Sequence, residues 1–238
     1  MPDVLLRSTE AEIMDDLEYS GEMMDRTLYE LEVINKWLGG NSVTLGGLRQ
    51  LLSNQDPGKV IFIADLGCGR GDMLQLIDSW ARKENRLVRL IGIDANPYII
   101  QAARTNLREY PKIELVVMNI FSAEFQALKF DIVLGTLFYH HFSNEQLLSF
   151  FHQLNSQVRI GHLINDIHRH PLAFYSIKFL TVFFSRSSMV KFDAPLSVLR
   201  AFKKKELVEI LRKAGLTNFT IRWKWAFRWQ VLVYTSDQ

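Results

Sequence analysis

Asp65-Leu66-Gly67-Cys68-Gly69-Arg70-Gly71-Asp72 is the stretch of this chain best suited to chemistry. An apolar run, Ile61-Phe62-Ile63-Ala64, leads into its first acid. The chain then turns through glycines and opens a helix. A second apolar run, Leu90-Ile91-Gly92-Ile93, ends in Asp94. Glycines let backbone approach a ligand without a Cβ clash. A carboxylate such as Asp94 offers two acceptors to a pair of vicinal ribose hydroxyls. Together these features outline a nucleotide-binding βαβ unit. Asp72 stands where a dinucleotide fingerprint has its third glycine, and its charge would repel a pyrophosphate at that helix N-terminus. No Gly-Lys-Ser/Thr follows, which excludes a P-loop. A phosphate-free ligand with ribose, adenine and positive charge suits these acids best.

Two further clusters could act on a second molecule. Thr136 to His141 follow a predicted strand, and a neutral imidazole can take a proton from a hydroxyl near pH 7. Asn165-Asp166-Ile167-His168-Arg169-His170-Pro171 follows the next strand. Asp166 and His168 are two apart, so an extended chain puts them on one face, a base beside its orienter. His168 is therefore favoured as the base, with Asp166 orienting it, over His140. Arg169 could hold an anionic acceptor or pair with an acid. His168 and His170 lack further ligands at zinc-like spacing, so no metal is expected.

Asp65-Leu66-Gly67-Cys68-Gly69-Arg70-Gly71, followed by Gly92-Ile93-Asp94-Ala95-Asn96-Pro97, resembles the first two motifs of class I S-adenosylmethionine (SAM)-dependent methyltransferases. Phe130-Asp131-Ile132-Val133-Leu134-Gly135-Thr136-Leu137-Phe138-Tyr139-His140-His141-Phe142 resembles the family's fourth strand and the loop after it. The resemblance implies SAM as cofactor. Gly67, Cys68 and Gly69 would pack on its methionine part, Asp65 would meet its ammonium, and Asp94 with Ala95 its ribose. Asn119 and Ile120 would face the adenine, with Asn119 standing where the family often has an acid. Thr136 would offer its backbone carbonyl. A histidine at position 141 is common in the family whatever the acceptor, which implies a loop-holding role for His141. Asn-Pro-Pro-Tyr, which goes with adenine or amide acceptors, is absent. These features together point to methyl transfer to a small, largely apolar or aromatic acceptor, most readily at oxygen. The alternatives are a non-catalytic SAM-binding protein and a methyltransferase acting on RNA or protein.

Helices and strands must position these residues. Residues up to about 40 read as helical, with Met24, Leu28, Leu31 and Leu38 on one face and Gly39-Gly40-Asn41 as the stop. Thr44 can cap a short helix toward Leu52. Strands are expected at 60–64, 88–93, 113–118, 131–134 and 161–165. Helices are expected at 72–83, from Asn96-Pro97 to about 109, from the Ser143–Gln146 capping box toward 158, and at 203–214. Residues 168–200 read as irregular and aromatic-rich, and 217–224 with 228–234 as a closing strand pair. Repeated βα units imply an α/β, doubly wound sheet. The resemblance implies seven mostly parallel strands in the order 3-2-1-4-5-7-6, the last antiparallel. The expected domains are an N-terminal helical lid, 1–58, and the methyltransferase domain, 59–238.

Composition narrows the setting. The 238 residues suffice for one α/β domain. A net charge of +2 points to no nucleic acid. Cys68 is the sole cysteine, so no internal disulfide can form; this suits a reducing, cytoplasmic location. Residues 1–4 do not open a signal peptide. The apolar segment 172–184 is shorter than the ~20 residues a bilayer span needs and carries Lys178, which suits a buried or interfacial helix.

Overall fold

A computed structural model describes residues 4–235. Seven strands form one sheet: β1 (Ile61–Leu66), β2 (Val88–Asp94), β3 (Glu114–Val117), β4 (Phe130–Thr136), β5 (Val158–Ile167), β6 (Phe219–Lys224) and β7 (Arg228–Tyr234). Their order is β3-β2-β1-β4-β5-β7-β6, with β7 antiparallel to both neighbours and β1 to β5 mutually parallel where they pair. The expected Rossmann-like topology is therefore present.

The strands alternate inward-facing residues between two cores, as their period of two requires. Ile61 and Ile63 of β1 join Leu90, Ile132 and Leu134 in one cluster, while Ala64 and Leu66 join Ile91, Ile93 and Val133 in the other. The first cluster is covered by α2 (Gly40–Leu51) and α3 (Asp72–Lys83), the second by α6 (Asn144–Leu154) and α9 (Lys204–Lys213). Here α1 denotes Glu22–Trp37, α4 Pro97–Asn106, α5 Ala123–Gln126, α7 Pro171–Phe184 and α8 Ser188–Arg200. Each fully buried Leu or Ile contributes about 1.5–3 kcal/mol relative to exposure.

Local signals hold at several ends. Asn96 caps α4 by accepting from the backbone N–H groups of Tyr98 and Ile99, and Pro97 fills its first position. The Ser143–Gln146 capping box opens α6. That helix stops at Leu154 rather than 158, because Val158 already begins β5.

Two expectations are corrected. Gly39 stops α1 as expected, but a new helix begins at once. The left-handed Gly39 backbone (φ 73°) turns the chain straight into α2. Thr44 consequently lies inside α2, buried, and caps nothing. Helix α2 packs closely on β5 and β7: a Cβ at Gly47 would come 2.5 Å from Leu163 Cδ1, so only glycine permits this approach. Residues 168–200, expected to be irregular around a buried or interfacial helix at 172–184, form two helices packed together, α7 and α8.

Candidate active site

The carboxyl ends of β1, β2, β4 and β5 deliver Asp65, Asp94, Thr136 and Asp166 to one edge of the sheet. The chain leaves β1 toward β2 on one side and β4 on the other, and ligands bind at such switch points. A cavity of about 490 Å³ opens there. All the residues expected to hold the cofactor line it: Asp65, Gly67, Cys68, Gly69, Asp94, Ala95, Asn119, Ile120 and Thr136. Gly67 is left-handed (φ 62°), and a Cβ there would strike Phe138 at 2.2 Å. The glycine turn therefore serves close packing as well as ligand approach.

The cavity is acidic. Burial pushes the Asp65 carboxyl well up, and the charges of Asp72 and Asp94 push it further. Burial and the charge of Glu32 raise Asp72 to about 6. Burial raises Asp94 too, although its carboxylate accepts from the Asn96 N–H at 3.0 Å. Among the described residues no group donates a hydrogen bond to the Asp65 side chain and no basic side chain pairs with it. Crowded, unpaired carboxylates around a cavity fit a ligand that brings positive charge, and SAM does so on its ammonium and sulfonium. Phe121, Phe138 and Phe142 supply an aromatic wall, with Phe121 and Phe142 centroids 5.4 Å apart. Asn119 Oδ1 accepts from the Phe121 N–H at 2.9 Å, so this side chain also holds its own turn.

A second cavity of about 400 Å³ adjoins the first. Met14, Leu31, Leu137 and His141 line both. Its walls are mostly apolar, from Ile34 and Leu38 of the α1 end, Ile177 and Leu180 of α7, Val190 and Val198 of α8, and Trp223, Trp225 and Phe227 of the β6–β7 turn. Leu137, at the junction, has a left-handed backbone (φ 56°), unusual for a branched apolar residue. Its N–H donates to Asn165 O at 2.8 Å, and this sharp turn presents Tyr139–His141 to the junction.

The histidines are arranged otherwise than expected. Asp166 does not face His168. Its Oδ1 meets His140 Nδ1 at 2.7 Å, and its Oδ2 accepts from the N–H groups of Tyr139 and His140. Burial would raise the Asp166 carboxyl, but the charge and hydrogen bond of His140 hold it below its usual range. The strand β5 continues through Ile167, so Asp166 points back at the β4 loop while His168 passes beyond the sheet edge. His168 lies against Trp229, centroids 4.6 Å apart, and lines neither cavity. Burial, with His170 and Arg169 nearby, lowers its pKa. Arg169 is buried and paired with Glu206, its Nη1 at 3.0 Å from Oε2, so it is a structural ion pair rather than an acceptor clamp.

His140 is the buried ring, and His141 is the one that reaches both cavities, with 18% of its side chain exposed. His141 Nδ1 lies 2.6 Å from Asp15 Oδ1. Burial would raise Asp15, but His141 and Arg200 hold it well below the usual carboxylate range. Glu12 is buried at the edge of the second cavity. Burial raises its carboxyl to about 7. Its Oε2 accepts from Ser197 Oγ at 2.9 Å, and its Oε1 has no hydrogen-bond partner. Sequence reading missed Glu12, Asp15 and Arg200, because Asp15 meets a histidine 126 residues away and no local pattern marks it. Glu12, His140 and His141 bring ligand atoms within 4.8 Å of one another and could hold a cation, although Arg200 Nη1 stands 3.7 Å from Glu12 Oε1 and opposes one.

Residues 63–161 match a family model described as a methyltransferase domain. The fold resembles that of the plantazolicin methyltransferase BpumL solved with SAH, with TM-score 0.64 and 17% identity over 89% of this chain and 90% of that one. It resembles human N-acetylserotonin methyltransferase solved with SAM, with TM-score 0.61 and 14% identity over 90% and 56%. It also resembles the magnesium protoporphyrin IX methyltransferase ChlM of Synechocystis PCC 6803 with bound SAM, with TM-score 0.59 and 13% identity over 93% and 94%. The chain thus spans little more than half the length of the human protein. Comparison with curated proteins gave no match. Residues 63–161 thus match a methyltransferase domain, and the strand order around the acidic glycine-turn cavity is that of the Rossmann-like methyltransferase fold.

Proposed function

We propose that the chain methylates a hydroxyl oxygen of a small, largely apolar or aromatic acceptor seated in the second cavity. The observation that carries this reading is the junction of two unlike cavities, one acidic and one apolar, at Leu137 and His141. SAM, when bound, supplies a methyl group on a positively charged sulfur. Asp65 and Asp94 would hold its ammonium and ribose hydroxyls, and Ile120 with the phenylalanine wall its adenine. The apolar lining of the second cavity would orient the acceptor and exclude water, the main tasks of such a site.

A hydroxyl acceptor needs a base. His141 fits this role, since Asp15 fixes Nδ1 and leaves Nε2 as the basic nitrogen beside both cavities. His140 and Asp166 would position the loop that carries it. A second reading makes Glu12 the base, favoured by its unpartnered Oε1 and its carboxyl at about 7. A SAM-binding protein without turnover would have no use for the apolar cavity.

The test is methyl transfer from labelled SAM to a panel of phenols, hydroxy-pyrones and quinols. His141→Ala should lower kcat by roughly 10²–10⁴-fold on a neutral hydroxyl acceptor while SAM affinity holds. If His141→Ala retains full kcat and Glu12→Gln loses it, the base is Glu12. No transfer to any apolar acceptor would remove the reading.

A further inference from the structure

Helix α7 buries little of itself. Only Ala173 and Thr181 of its residues are buried, while Phe179 is 59% exposed, Phe183 67% and Phe184 78%. Leu172, Tyr175 and Val182 are exposed beside them. The β6–β7 turn adds exposed Trp223 and Trp225. Ala226 and Phe227 in that turn both have left-handed backbones (φ 59° and 55°), which non-glycine residues seldom adopt. Leu180, Trp223 and Trp225 are at once exposed and part of the second cavity's wall. The cavity therefore meets the surface between α7 and this turn, inside an apolar, aromatic rim. Contiguous apolar surface of this kind marks contact with another apolar phase or partner.

Charge around the rim is mostly positive, with Glu30 of α1 engaged by Ser185 Oγ and the Arg186 and Ser187 N–H groups. Residues 167–192 contain no carboxylate. Lys178, Arg186 and Lys191 are exposed there, and Lys224 stands between the two tryptophans. None of these four forms an ion pair among the described residues.

We propose that α7 and the Trp223–Trp225 turn seat on an anionic lipid bilayer, and that the second cavity draws from it a lipid-soluble, hydroxyl-bearing acceptor. The substrate half rests on the reading of that cavity as the acceptor site; the docking half does not.

Length, composition and charge favour lipid over a second copy of the chain. Fourteen helical residues reach about 21 Å at 1.5 Å per residue, short of the ~30 Å hydrocarbon core, so α7 lies on a bilayer rather than spanning it. Among the described residues no helix is long and apolar enough to cross a membrane. Tryptophan and tyrosine with flanking lysine and arginine settle at the membrane–water boundary. Two copies meeting about a two-fold axis on this face would bring two sets of Lys178, Arg186 and Lys191 into one interface. Anionic headgroups would instead neutralise them.

The test is co-sedimentation of the full chain with phosphatidylcholine vesicles, with and without phosphatidylglycerol. Binding should require phosphatidylglycerol and weaken with salt. Phe179→Ser with Phe183→Ser should abolish it, and Lys178→Gln with Arg186→Gln should weaken it by about thirtyfold. These side chains are exposed and line neither cavity, so titration with S-adenosylhomocysteine should be unchanged in all variants. Absence of vesicle binding, or full binding by the phenylalanine variant, overturns the docking surface. A dimer that Phe183→Ser dissociates, without vesicle binding, assigns the face to a second copy and overturns it too. The phenylalanine variant should methylate a quinol dissolved in vesicles far more slowly than wild type, yet a water-soluble phenol at the same rate. Equal rates on both would overturn the bilayer as the acceptor's source, whereas loss of transfer to every acceptor by the wild type would sink the acceptor reading itself.

Discussion

Asp94 closes β2 at the acidic cavity, its carboxylate accepting from the Asn96 N–H and held also by the backbone of Gly69 and Ala95. Replacing it by alanine should weaken S-adenosylhomocysteine binding by about 1–3 kcal/mol, the usual cost of losing a charged hydrogen-bond partner, which calorimetry would read. Asp72 gives a pH test. Its folded-state pKa is raised from 3.8 to about 6, so between those values the folded chain binds more protons than the unfolded one. Stability of the free protein from this group is thus lost as pH rises through that window. A cationic ligand requires the ionised carboxylate, so affinity for SAM should increase as pH rises from about 5 to about 7, with protons released on binding. A pH-independent affinity would mean that the acids do not meet the ligand's charge. At this scale the sequence was informative for backbone-encoded positions. Asp65, the glycines and Asp94 sit at strand ends, and strand ends can be read from local pattern. The Asp166–His140 and Asp15–His141 pairs could not, because each joins residues brought together only by the sheet edge or the N-terminal crossing.

Helix α8 escaped sequence reading, and α7 was legible only as an apolar segment suited to a buried or interfacial helix. Helix α7 is apolar nearly all round, so it lacks the alternation of faces that marks an amphipathic helix. Helix α8 carries Pro195 in its interior, which ordinarily argues against a helix. It persists packed against α7 and α1, and it anchors the N-terminal crossing: Asp193 accepts from the N–H groups of Ile13 and Met14. Caps were more legible, since they depend on a few adjacent residues. Asn96→Ala should destabilise the protein by about 1 kcal/mol in chemical denaturation, with little change in the α6 cap far away. The proposed lid role now falls to residues before Gly39, because α2 packs closely on β5 and β7 while α1 lines both cavities. Hydrogen exchange in α1 should slow when S-adenosylhomocysteine binds, and α2 should change little. Equal protection of α1 with and without ligand would make it a fixed wall.

Across the whole molecule, the parallel strands and their βα alternation were enough to imply the doubly wound sheet, since right-handed crossovers leave few other topologies. What local pattern could not reveal is that the N-terminal segment, α7, α8 and the β6–β7 turn converge from distant parts of the chain on one apolar cavity. That convergence, beside the acidic cavity, is the basis for the account of methyl transfer. Filling the second cavity tests it most directly. Ser176 lies on an exposed face of α7 and lines that cavity, so Ser176→Trp should intrude there without unfolding the chain. Transfer of labelled methyl from SAM to the best phenol or quinol of the panel should fall by at least about tenfold in kcat/KM, with S-adenosylhomocysteine binding unchanged by calorimetry. Undiminished transfer in Ser176→Trp, or failure of the wild-type chain to bind SAM at one site, would contradict the account.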